Sequence, residues 1–216
     1  MPAVSRFGMV WVAAFVAVGA AGCGADVARR GDGCAPPEAP RRVEAVDESV
    51  VLGDVDGNGR KDRVAFYEMR DTWRVRLELG AGWVADHAVD WDGAAVAIGA
   101  TDVDGDGREE VWFPANGATA HHVGIAVFAE CRLREVTDAN GDEARFLYAA
   151  TGNSSAGWRL GTRCRDAEIV EWSAHADGTA TSRTYELRGS IADLVRESND
   201  TPPGASYGLD CQGVTY

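Results

Sequence analysis

Two stretches of this chain each place at least three carboxylates on one short, glycine-punctuated loop, and that duplication constrains the fold more than any other feature. The first runs Gly53-Asp54-Val55-Asp56-Gly57-Asn58-Gly59-Arg60-Lys61-Asp62-Arg63-Val64. The second runs Thr101-Asp102-Val103-Asp104-Gly105-Asp106-Gly107-Arg108-Glu109-Glu110-Val111. Both read D-x-D-x-[DN]-G-x-x-[DE] and both lead into an apolar strand; their first aspartates lie 48 residues apart. Carboxylates packed this closely repel one another unless a cation neutralises them. A hard divalent cation such as Ca²⁺ takes six to eight oxygens, and side chains at positions 1, 3 and 5 of a tight loop can all turn toward one ion. Position 6, where the chain turns sharply, is Gly59 and Gly107; position 7 offers the carbonyls of Arg60 and Arg108; position 9, Asp62 and Glu110, can close the shell. The competing reading is a pair of Asp/Gly turns between strands.

The loops are not EF-hands. That motif needs a bidentate Glu at position 12 and flanking helices, whereas position 12 is Ala65 and Phe113 and the flanks Val64-Ala65-Phe66-Tyr67 and Val111-Trp112-Phe113 are strand-like. Over residues 50–68 and 98–114 the chain instead resembles FG-GAP or VCBS repeats, the Ca²⁺-loop repeats of integrin α-subunit propellers and of many bacterial surface proteins. The resemblance implies two bound Ca²⁺ ions. It assigns the ligands to Asp54, Asp56, Asn58, the Arg60 carbonyl and Asp62, and to Asp102, Asp104, Asp106, the Arg108 carbonyl and Glu110. A third stretch, Asp138-Ala139-Asn140-Gly141-Asp142, has Glu143 at position 6 and Phe146 at position 9 and reads as a plain turn.

The N-terminus reads as an address. Arg6 precedes an apolar run from Phe7 to Val18, then Gly19-Ala20-Ala21-Gly22 and Cys23. The run is too short to span a membrane, which takes about 20 residues, and has the form of a signal-peptide core. Small residues directly before a cysteine resemble a bacterial lipobox, in which the cysteine is acylated; Ala20 stands where that pattern usually has a larger aliphatic residue. The reading is therefore a signal peptide over 1–22, a lipidated Cys23 with a Pro/Gly-rich tether over 23–42, and one domain over 43–216. It implies a membrane partner through the lipid and a location on the outer face of the cell membrane; ordinary cleavage and secretion is the alternative.

Cysteine number agrees with an acylated Cys23. Five cysteines leave one over in an oxidising compartment, and setting Cys23 aside leaves Cys34, Cys131, Cys164 and Cys211 for two disulfides. Three connectivities are open; the preferred pairing is Cys34–Cys211, tying the domain ends, with Cys131–Cys164.

The rest of the chain alternates with period two, as in Trp73-Arg74-Val75-Arg76-Leu77-Glu78-Leu79. Residues 124–128, 144–148, 167–172 and 183–187 read as further strands, Asp177-Gly178 as a hairpin turn, and Ile191 to Arg196 as the one short helix-like stretch. The expected fold is all-β, either a small propeller-like domain of about four degenerate blades or a β-sandwich. The repeat spacing suits propeller blades.

A formal net charge of -13 repels phosphate backbones and argues against nucleic acid as a partner. Zinc and nucleophile motifs (H-E-x-x-H, C-x-x-C, G-x-S-x-G) are absent from the sequence. Most tryptophans read as core, with Trp83 and Trp91 the best placed for exposure to a sugar. The function expected is thus a non-catalytic, envelope-anchored Ca²⁺-binding β-repeat module that binds protein or glycan or serves a structural role. The alternative is an envelope hydrolase whose active site is assembled from distant residues.

Overall fold

The computed structural model describes residues 46–80, 82–93, 99–116, 120–150, 159–205 and 207–215. The expected signal peptide, Cys23, Cys34 and the tether lie outside the described residues, as does Trp158. The described chain is all-β, with sixteen strands in three sheets, none closed into a barrel.

The first sheet is an antiparallel meander of β1 (Val46–Gly53), β2 (Asp62–Glu68), β3 (Trp73–Glu78) and β4 (Val84–Val89), paired in that order. The second repeats the plan with β5 (Gly99–Thr101), β6 (Glu110–Ala115), β7 (Ala120–Ala129) and β8 (Arg132–Glu135). Here the long β7 also pairs along its first residues with β10 (Phe146–Ala150). The third sheet gathers β9 (Thr137–Asp138), β11 (Arg159–Arg165), β12 (Glu168–Ala174), β13 (Ala180–Arg188), β14 (Ile191–Ser198), β15 (Gly208–Cys211) and β16 (Val214–Thr215). Its order is β16-β15-β11-β12-β13-β14-β9. The Asp177-Gly178 turn lies between β12 and β13: Gly178 has φ 87°, and the Asp177 carboxylate accepts the Thr179 N–H at 2.9 Å.

Alternation decides how the sheets stack. On β6, Val111, Phe113 and Ala115 join Phe66, Val75, Leu77 and Trp83 in one buried cluster, while the intervening Trp112 joins Ile169, Leu187 and Leu209 in another. On β7, Ala126 and Phe128 face the first cluster, Val123, Ile125 and Val127 the second. The second sheet is therefore the middle layer, with one core on each side, which is why its central strands β6 and β7 are largely apolar. The first sheet carries a further buried network on Tyr67, Arg76 and Asp86. Arg76 Nη2 lies 2.6 Å from Asp86 Oδ2, and the Tyr67 hydroxyl donates to Asp86 Oδ1 at 2.5 Å.

Three details differ from the sequence reading. The stretch 191–196 is strand, not helix: β14 pairs with β13, and the register slips between Thr184 and Tyr185, so a bulge absorbs the residue that spoils strict alternation. Trp83 is core, only 5% exposed, its ring edge-on to Phe128 at 4.9 Å; Trp91 is half-buried against the same cluster. Finally, Cys164 pairs with Cys211, replacing both preferred pairings. The two stand opposite each other on the parallel neighbours β11 and β15, with Cα atoms 4.4 Å apart, a distance a disulfide spans. Cys131 is disulfide-bonded as well.

Candidate metal centre

Each acidic loop joins the first two strands of its sheet. Loop 1 connects β1 to β2 and loop 2 connects β5 to β6, so Asp62 and Glu110, both at position 9, are the first residues of β2 and β6. The apolar residue at position 2 anchors each loop. Val55 is 0% exposed and belongs to the core between the first and second sheets; Val103, 1% exposed, belongs to the core between the second and third. One local design thus serves two successive layers.

The internal wiring is shared by the two loops except at Oδ1 of the first aspartate, which takes the position-5 N–H in loop 1 and the position-4 N–H in loop 2. Asp54 Oδ1 accepts the Asn58 N–H at 2.9 Å and Oδ2 the Gly59 N–H at 2.8 Å. Asp102 Oδ2 likewise accepts the Gly107 N–H at 3.1 Å, and Oδ1 the Gly105 N–H at 2.8 Å. The position-5 side chains accept from position 7: Asn58 Oδ1 from Arg60 N at 2.8 Å, Asp106 Oδ1 from Arg108 N at 2.9 Å. The position-9 carboxylates reach back to the position-2 N–H groups, Asp62 Oδ2 to Val55 at 3.1 Å and Glu110 Oε2 to Val103 at 2.7 Å. Gly57, Gly59, Gly105 and Gly107 all have φ between 73° and 87°, the left-handed region that glycine enters without steric cost.

These bonds gather Asp54, Asp56 and Asp62 in loop 1, and Asp102, Asp104 and Asp106 in loop 2; within each trio one oxygen from each residue lies within 4.8 Å of the others. Either trio could hold a metal ion. Asp62 tests the fit: it is 1% exposed, its Oδ2 accepts the Val55 N–H, and its Oδ1, although the Asp56 and Gly80 N–H groups stand near the carboxylate, makes no well-formed hydrogen bond. A buried carboxylate oxygen left unpaired is costly, and a cation at the trio is the group that would satisfy it. The electrostatics agree. Burial, then the charge of Asp56, pushes the Asp62 carboxyl up to about 6. Burial, helped by Asp104, Asp106 and Asp102, pushes Glu110 up to about 8 against the opposing Val103 N–H. Asp104 is raised by burial and by Asp106.

The third stretch behaves differently. Asp138 Oδ1 accepts the N–H groups of Asn140 at 2.8 Å and Asp142 at 3.0 Å, and Oδ2 the Asn140 side-chain amide at 3.2 Å. These bonds hold its carboxyl below the usual range. Among the described residues it gathers no third acidic ligand, so it is a turn closed by its own side chains.

Sequence reading missed Glu109. It stands at position 8 of loop 2, yet its carboxylate bonds to loop 1: Oε2 accepts the Asp54 N–H at 2.6 Å, and both oxygens take Lys61 Nζ, at 2.6 and 2.7 Å. The only sequence signal is that Lys61 and Glu109 hold the same repeat position with opposite charge. Sequence reading also missed a groove of about 380 Å³ on the third sheet, where Arg163, Arg165 and Arg196 meet Asp166, Glu168 and Asp200. Two ion pairs lie in its wall, Arg165 to Asp166 at 3.2 Å and Arg196 to Glu168 at 3.7 Å, while Arg163 donates to the Pro203 carbonyl.

No family model matches the chain, and neither does any curated protein or solved structure.

Proposed function

We propose that this chain is a non-catalytic Ca²⁺-binding β-repeat module of the FG-GAP/VCBS kind, held on the outer face of a cell membrane by a lipid on Cys23. The observation that carries the reading is the loop 1 trio itself, three carboxylates with one oxygen each within 4.8 Å of the others, of which the buried Asp62 keeps its Oδ1 without a hydrogen-bond partner. Asp54, Asp56, Asn58, the Arg60 carbonyl and Asp62 would hold one ion, and Asp102, Asp104, Asp106, the Arg108 carbonyl and Glu110 the other. When bound, each ion supplies positive charge that offsets the clustered carboxylates and fixes the first hairpin of its sheet. The chain's own residues do the rest. Val55 and Val103 tie the loops to the two cores, so ordering a loop also orders the contact between layers. The rigid surface so formed serves to bind a protein or glycan, or to stiffen the envelope layer in which it stands.

Calorimetric titration of the full chain with millimolar Ca²⁺ tests the metal assignment, because extracellular sites of this type bind at about 10⁻⁴–10⁻³ M. Two ions per chain are expected in the parent protein and one in Asp104→Asn. Absence of binding up to 10 mM would refute it. Fatty-acid labelling tests the anchor: a label retained by Cys23→Ala would count against lipidation at that residue.

A further inference from the structure

We propose that Glu109, a residue of loop 2 that is not itself a cation ligand, is the positioning residue for the cation site of loop 1. The inference rests on the Ca²⁺ reading of loop 1 and adds that this site is completed by the neighbouring repeat.

Asp54 is the first ligand of loop 1, and its backbone is held from outside that loop. Its N–H donates to Glu109 Oε2 at 2.6 Å. Its carbonyl accepts the Glu109 N–H at 2.9 Å. One residue of loop 2 therefore grips Asp54 in both directions. The Asp54 carboxylate, with both oxygens taken by Asn58 and Gly59 N–H groups, then points where the backbone sends it. The approach is close enough to dictate sequence. A Cβ on Gly53 would come within 2.5 Å of Ala100 Cβ and 3.1 Å of Glu109 Oε2, and one on Gly57 within 2.9 Å of Arg108 Cγ. Glycine at 53, where φ is unexceptional, is thus required by the neighbouring sheet and not by the turn.

Charge explains why Glu109 acts through geometry. A further carboxylate beside the acidic trio would add to its repulsion. Lys61, the only lysine of the chain, sits on both Glu109 oxygens and cancels that charge locally. What remains is a neutral strut of two residues at the same repeat position, 48 apart in sequence. A site whose first ligand is fixed before the ion arrives has less ordering left to do on binding, and so binds more tightly.

Amide resonances resolve the two loops in solution, since Gly59 and Gly107 each donate to the first aspartate of their own loop. Titrating the full chain with CaCl₂, the Gly59 midpoint in Glu109→Ala is expected to rise about fivefold or more, the lower end of measured couplings between sites. The Gly107 midpoint is expected to stay within about twofold. Glu109→Gln keeps an acceptor for the Asp54 N–H and is expected to recover most of the loss. An unchanged Gly59 midpoint in Glu109→Ala would overturn the proposal, as would an equal rise at both glycines, which marks general loosening. A parent protein in which neither amide responds to Ca²⁺ would instead remove the Ca²⁺ reading, and the proposal with it.

Discussion

At the scale of single residues, Asp62 and Glu110 are the groups whose chemistry is least comfortable without a cation. Both are raised by burial, to about 6 and about 8. A raised folded-state pKa contributes stability that is present below the unfolded value and lost as pH climbs through the folded one. For Asp62 that window runs from its ordinary 3.8 to about 6, and for Glu110 from 4.5 to about 8. His87, lowered mainly by burial, gives the opposite slope but only up to its ordinary range near 6.5. Between pH 6.5 and 8 in chelator, the melting midpoint of the protein is therefore expected to fall. In saturating Ca²⁺ it is expected to stay flat; a metal-free midpoint that climbs over this interval would contradict the assignment of Glu110. Asp62→Asn separates the residue from its neighbours. In chelator it is expected to melt no lower than the parent, because a neutral amide replaces a strained carboxylate. In Ca²⁺ at about a hundredfold over Kd it is expected to melt roughly 5–10 °C lower. Equal losses in both conditions would mean that Asp62 is merely a packing residue.

At the scale of elements, the loops and most strands were legible because their signals are local. Asp, Gly and alternation fix a turn and the strand after it without reference to the rest of the chain. Pairings between distant elements were not. Cys164 meets Cys211 because β15 adds parallel to β11, and nothing in the sequence between residues 165 and 207 announces that return. The 191–196 stretch misled for a related reason: Ile191, Leu194 and Val195 fall at helical spacing, but the partner strand β13 and its bulge set the conformation. Trp83, flanked by Gly82 and Val84, carried no mark of the Phe128 ring it meets. The observed disulfide gives this scale its own test. Its sequence separation is 47 residues, for which loop-closure entropy gives about 4 kcal/mol. Cys164→Ala/Cys211→Ala is thus expected to lose on the order of 3–4 kcal/mol in urea unfolding. A loss within error of zero would show that β11 and β15 hold together without it.

At the scale of the whole molecule, the repeat in the sequence becomes a stacking of layers. Near its start, loop 1 sinks a buried valine, Val55, between the first and second sheets, and loop 2 its counterpart, Val103, between the second and third. The all-β class follows from period-two patterning. The number and order of the layers do not, because β7 divides its edge between β8 and β10 and the third sheet takes in strands from both ends of its segment. The acidic trios were the most legible part of the site. Glu109 was the least, since its role depends on which loop its carboxylate faces once the sheets are stacked. If ions order both hairpins, and through Val55 and Val103 both cores, their effect must be felt by the entire domain. The most direct test is thermal unfolding of the full chain in 5 mM Ca²⁺, in 5 mM Mg²⁺ and in EDTA. One cooperative transition is expected, with a midpoint that rises by several degrees in Ca²⁺ but not in Mg²⁺, which resists giving up its own waters. Identical midpoints in all three would contradict it and leave the two loops as acidic turns.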